Sequence, residues 1–214
     1  MAWDEHAERE EHRYADALGR MPDDPDRRQK QLVRAAMAAG GAGLARLMQG
    51  RRAEATGWFI RSAERYRDSW PDAPPKSWGR LIGALKARLL AGDWDGAEAD
   101  ARWALDQEPA GGAIGDYAAA LALLILARDS EAAPIASALV GNVEFPPPVA
   151  EALDGLASGN GSDYGRAVVA VLRSFEERDD YLDDIPVADT VIVLEALAER
   201  RRIGARPQSA LLPG

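Results

Sequence analysis

The stretch from Trp78 to Pro109, WGRLIGALKARLLAGDWDGAEADARWALDQEP, leaves few folds open to this chain. Leu81, Ile82, Leu85 and Leu89 recur at three- and four-residue steps, which puts them on one side of a helix. Ala91-Gly92 ends that helix, because glycine accepts the left-handed conformation that a helix C-terminus often needs. Asp93 is placed to cap the next helix with its carboxylate. In that second helix Trp94, Ala97, Ala101, Ala104 and Leu105 share a face, and the small alanines let two backbones approach closely. Pro109 cannot continue the helix and punctuates it.

Gly92, Asp93, Trp94, Ala97, Ala104, Leu105 and Pro109 resemble the second half of a tetratricopeptide repeat, a family of stacked helical hairpins. The first helix departs from that pattern, with Arg88 at a usual aromatic place and Leu85 at a usual small-residue place. Similar turns stand at Gly50, followed by Ala55, Phe59 and Ser62; at Arg128, followed by Asp129, Ala133 and Val140; and at Ser162, followed by Asp163, Tyr164, Ala167, Val171 and Ser174. Anchors at 50, 92, 128 and 162 give steps of 42, 36 and 34 residues. Gly43 and Gly155 lie seven residues before their anchors, where the family prefers a small residue. The resemblance implies an all-α fold: antiparallel helical hairpins stacked as a short α-α superhelix of about nine helices. One helical-repeat domain is expected over 1–214: an N-terminal helix in 1–25, four degenerate pairs over 26–181, a capping helix in 182–204 and a tail over 205–214.

Composition agrees with that class. Of 214 residues 47% are apolar, enough for a sizeable core, and β-branched runs are scarce outside Val187–Val193. There are no cysteines, so disulfides and thiolate metal sites are excluded and a reducing, cytoplasmic compartment is expected. No basic start leads into an apolar run, and no segment nears the roughly 20 apolar residues that span a bilayer, so neither a signal peptide nor a membrane span is expected. A net charge of −9 argues against non-specific nucleic-acid binding. Arg200 to Arg202 close a helix, where cations suit the dipole, and read as that instead of a nucleic-acid patch.

Four features carry a chemical reading beside a plainer one. His6 with Glu10, and Glu8 with His12, are four apart and converge on a helix; the alternative is a solvated acidic helix. Gly40, Gly41 and Gly43 invite a phosphate-loop reading, but helical pattern on both sides favours close helix packing or a break. Trp70 and Trp78 bracket a proline-rich loop that serves as a recognition surface or as a lid over the core. Glu176, Glu177, Asp179, Asp180, Asp183 and Asp184 suit acid–base or cation chemistry, or simply an exposed acidic end. No nucleophile–base set, phosphate loop or metal set accompanies them, so no catalytic residue, metal or cofactor is assigned.

The expected function is therefore a non-catalytic scaffold for a protein or peptide. The alternatives are a small all-α enzyme or metal-binding protein using the acidic C-terminal region, and a dimerisation module. The resemblance implies that the first helix of each pair lines a groove, over about 36–48, 78–90, 114–126 and 148–158. Its expected lining is Met37, Leu44, Leu47, Ile82, Lys86, Leu89, Ala118, Ala122 and Ile125. The groove takes a partner's amphipathic helix, or is filled by the N-terminal helix, the tail with Leu211 and Leu212, or a second copy.

Overall fold

A computed structural model describes residues 3–181 and 184–214. Among these the protein is all-helical, without a strand, and has ten helices, one more than expected. They are α1 (Trp3–Gly19), α2 (Pro25–Met48), α3 (Arg52–Asp68), α4 (Trp78–Ala91), α5 (Trp94–Asp106), α6 (Ala113–Ile125), α7 (Asp129–Val140), α8 (Pro147–Ser158), α9 (Gly161–Glu176) and α10 (Asp189–Arg201).

One turn geometry recurs four times. α2, α4, α6 and α8 each end on a left-handed residue: Gly50 (φ 73°), Gly92 (φ 69°), Ala127 (φ 54°) and Gly159 (φ 69°). At each, two amides reach back to the last carbonyls of the helix. Gly50 N donates to Leu47 O at 2.9 Å and Arg51 N to Arg46 O at 3.0 Å. The matching bonds are Gly92 to Leu89 and Asp93 to Arg88, Ala127 to Leu124 and Arg128 to Leu123, and Gly159 to Leu156 and Asn160 to Gly155. These bonds satisfy carbonyls that a helix end leaves unpaired, and the next helix begins two residues after each left-handed residue. The third and fourth turns therefore centre on Ala127 and Gly159, not on Arg128 and Ser162. The reason at the fourth is that Asn160 caps α9, its side chain accepting from Asp163 N, so Gly161 already lies inside the helix. α10 closes the same way at Arg202 (φ 61°), but the chain then leaves without forming a helix.

The chain divides into two compact units: Met1–Asp93 with Asp180–Val187 and Leu212–Gly214, and Trp94–Asp179 with Ala188–Leu211. The division falls between Asp93 and Trp94, inside the stretch that the sequence reads as one pair.

In the first unit each of α1 to α4 packs on the next in sequence. α2 runs unbroken through Gly40, Gly41 and Gly43, and its start is fixed by Asp24, whose carboxylate accepts from Arg27 N at 2.9 Å. Two glycines permit close approach of neighbours. A Cβ at Gly43 would lie 2.6 Å from the Phe59 ring of α3, and one at Gly83 of α4 would lie 2.5 Å from the Tyr66 ring. The glycine-rich run is therefore a packing surface inside a helix.

In the second unit α5 to α9 again pack in sequence order, and α10 lies against α8 and α9. α6 is its centre: Ala118, Ala120, Leu121 and Ala122 are fully buried, as an all-round apolar helix requires. α7 begins at Asp129, so Pro134 sits inside the helix and not in its first turn. The segment after α10 folds back along α9. Ile203 meets Gly161, Ala205 lies by Gly165, Ser209 Oγ donates to Glu176 at 2.7 Å, and Leu211 O accepts from Ala188 N at 2.9 Å. The tail thus tucks back onto the second unit through Leu211.

Candidate functional site

The nine expected groove residues divide by unit. Met37, Leu44 and Leu47 on α2 and Ile82, Lys86 and Leu89 on α4 belong to the first; Ala118, Ala122 and Ile125 on α6 belong to the second. Leu47 and Leu89 are each 4% exposed, Ile125 is 1% exposed, and Ala118 and Ala122 are fully buried. These five are interior positions. The reason for α6 is its apolar circumference, which leaves no side for a groove. Met37, Leu44, Ile82 and Lys86 are half-buried and form the accessible part of the set.

Beside that set lies a polar cluster that ties α2, α3 and α4 together. Gln29 is 1% exposed, and its carbonyl accepts from the Arg80 guanidinium. Arg80 also donates to Ser69 O, at the buried end of α3. Burial of Arg80 pulls its pKa below the usual guanidinium value. Immediately after Ser69, the rings of Trp70 and Trp78 stack with centroids 5.9 Å apart at 26°. Both indoles are half-buried, so the proline-rich loop between them is closed by its own aromatic pair.

Charged residues of the N-terminal helix are committed in the same way. Glu10 is fully buried, and Arg9 and Arg13 hold it at 2.9 and 2.8 Å. Its side chain lies against α2 where a Cβ on Gly41 would meet it at 3.0 Å. Arg46 of α2 reaches Glu11 at 2.6 Å. The pairing of His6 with Glu10 is thus replaced by an arginine clamp, and the His6 ring lies 5.5 Å from that of Trp3. Among the described residues no three His, Asp or Glu side chains converge on a metal-sized site. In the acidic run, Glu176 accepts from Ser209 and the Arg178 guanidinium covers the Phe175 ring at 3.9 Å; Asp183 lies outside the described residues.

α10 is the polar fastener of the second unit. Arg201 donates to both carboxylate oxygens of Asp129, to Leu124 O at 2.7 Å and to Leu197 O at 2.9 Å. It therefore joins the end of α6 and the start of α7. Arg200 lies 4.3 Å above the Trp94 ring and reaches Glu98 and Ile125 O at 3.4 Å. Glu195 accepts from Tyr164 Oη at 2.6 Å, from Ala205 N at 3.2 Å and from Arg206 N at 2.6 Å. Burial, then this bond to a carboxylate, pushes the Tyr164 pKa far above the usual phenol value. The sequence marks Arg200 and Arg201 only as the basic close of a helix. The pairs with Glu98, Asp129 and Tyr164 join residues 102, 72 and 31 apart, and no local spacing announces them.

No family model, curated protein or solved structure matches this chain.

Proposed function

We propose that the chain is a degenerate tetratricopeptide-like scaffold that binds a protein or peptide partner without catalysis, in the cytoplasm. The observation that carries the reading is the fourfold recurrence of one left-handed closure, each followed two residues later by a new helix. Hydrogen bonding at four separate turns is a property of the backbone, so it supports a repeat where the side-chain pattern has decayed. Within each unit consecutive helices pack on one another, as the hairpins of such arrays do. A concave face lined by the first helix of each pair serves recognition in that architecture, and the cysteine-free composition suits a reducing compartment. No helix among the described residues is long and apolar enough to cross a membrane.

The test is capture of partners from the native host on the immobilised chain, followed by reconstitution of each with purified components. The reading expects at least one saturable complex of defined stoichiometry. It fails if no purified candidate binds the folded chain, or if the chain turns over a small molecule in unbiased metabolite screens.

A further inference from the structure

The sequence from 103 to 165 contains nine acidic residues and a single basic one, Arg128. Charge is divided in the same sense between the units. The first holds 17 of the 26 basic and 17 of the 35 acidic residues; the second holds the other 9 and 18, and hence the whole net charge of −9.

Topology gathers part of this excess at one end of the second unit. α6 and α7 are joined by a tight turn and run antiparallel, so the start of α6 lies beside the end of α7 and the start of α8. The Tyr117 and Phe145 rings, 5.3 Å apart, fix the α7–α8 loop against the first turns of α6. The end of α5 leads into the same region through 107–112. Asp106, Glu108, Glu144 and Glu151 are exposed there, and Asp116 is half-buried. Ion pairs elsewhere in the unit engage Glu98, Asp129, Glu131 and Asp163, whereas among the described residues none of these five forms one.

The same end displays apolar side chains. Val143 is 99% exposed, Ile114 51% and Val140 43%, which makes three of the five exposed large hydrophobic residues among those described. Val143 is held out, not left loose. Phe145 N donates to Asn142 O at 3.2 Å and Glu144 N to Asn142 Oδ1 at 2.9 Å, forming a turn with Val143 at its tip. Pro146, Pro147 and Pro148 stiffen the exit. An exposed apolar tip at the same end as carboxylates outside any ion pair matches an occupant with the opposite charge and an apolar stripe.

We propose that this end of the second unit docks a cationic amphipathic peptide segment of a partner. Val143, Val140 and Ile114 receive its apolar stripe, and Glu108, Asp116 and Glu144 face its lysines or arginines. The proposal rests on the scaffold reading and assigns it a surface.

The probe is a fluorescein-labelled amphipathic peptide made only of Lys and Leu at helical spacing, titrated into the full chain and read by anisotropy. Its counterpart of Glu and Leu is the control. Amide shift mapping with the unlabelled Lys peptide should move residues of 106–117 and 140–151. Val143→Ser, at a fully solvated position, should weaken binding about tenfold while leaving the fold intact. Glu108→Lys with Glu144→Lys should weaken it at least as much, and Asp72→Lys in the first unit should leave it unchanged. About 0.5 M salt should reduce the affinity sharply. The proposal is overturned if the Glu peptide binds as well, if the shifts fall elsewhere, or if both docking variants bind like the parent chain. It is also overturned if sedimentation shows a dimer that Val143→Ser dissolves, since a second copy is then the occupant. A reconstituted partner that ignores both variants would remove this surface while leaving the scaffold reading intact; absence of any partner would remove the scaffold reading.

Discussion

In the first unit, polar side chains are buried between neighbouring helices: Glu10 against α2, Arg46 to Glu11, and Gln29 with Arg80 and Ser69 across α2 to α4. In the second, α6 and its neighbours present mainly alanine and leucine to one another, with Asp100 of α5 buried among them, and α10 carries the polar ties of Glu195, Arg200 and Arg201. The first unit thus obtains its register from directional contacts along its whole length. The second obtains bulk stability from apolar burial and register from one terminal helix, whose outer neighbours would otherwise be solvent. Internal ties in the second unit engage Glu98, Asp129, Glu131, Asp163, Glu176 and Glu195, whereas Asp106, Glu108, Asp116, Glu144 and Glu151 form no ion pair among the described residues.

The largest expected effect tests whether α2 and α4 keep a groove open. Leu47→Glu with Leu89→Glu places two carboxylates at positions each 4% exposed, with burial costing several kcal/mol per unpaired charge. The first unit should unfold, seen as loss of hydrogen-exchange protection over α2 to α4. A folded, fully helical double variant would show instead that these positions open readily to water.

Leu121→Ala removes a fully buried side chain from the centre of the second unit and should cost about 2–5 kcal/mol in denaturant melts. Its loss of protection should be confined to α5 to α10. Gly43→Ala is the counterpart in the first unit. The added methyl would stand 2.6 Å from the Phe59 ring, and overpacking of this kind costs about 1–3 kcal/mol. A neutral Gly43→Ala would mean that Phe59 swings aside and that the close approach of α2 and α3 is not required.

How far the fold was legible depended on the range of the interactions that make it. Leu81, Leu85, Gly92 and Ala97 signal a helix–turn–helix within a few residues, and the turn at Gly92 has the expected left-handed geometry. The sequence carries an apolar run over α6, yet the repeat resemblance places Ala118, Ala122 and Ile125 of that run on a groove, and they are interior. A repeat template assigns faces by position, whereas burial on all sides is decided by the number of neighbouring helices. Arg201 with Asp129, and Tyr164 with Glu195, join residues 72 and 31 apart, and nothing local marks either pair. The exposed Val143 turn was hidden because a loop valine carries no sign of which way it faces.

The smallest effect concerns one polar contact buried in the second unit. Tyr164 is buried and donates to Glu195, so its phenol holds its proton in the folded state well past the ordinary value of 10.0. The unfolded chain releases that proton above about pH 10, and the folded chain does not. The folded state then binds more protons than the unfolded one, so this stabilisation is complete below that pH and declines as pH rises beyond it. Tyr164→Phe should cost only about 1 kcal/mol at neutral pH, because Glu195 keeps the Ala205 and Arg206 amides. It should also remove one proton from the alkaline slope of stability for the second unit. Hydrogen exchange between about pH 9 and 11, corrected for intrinsic rates, reads both units in one sample. An unchanged alkaline slope in the phenylalanine variant would mean that Tyr164 is not the group responsible, and that the contact of α9 with α10 tolerates an ionised phenol.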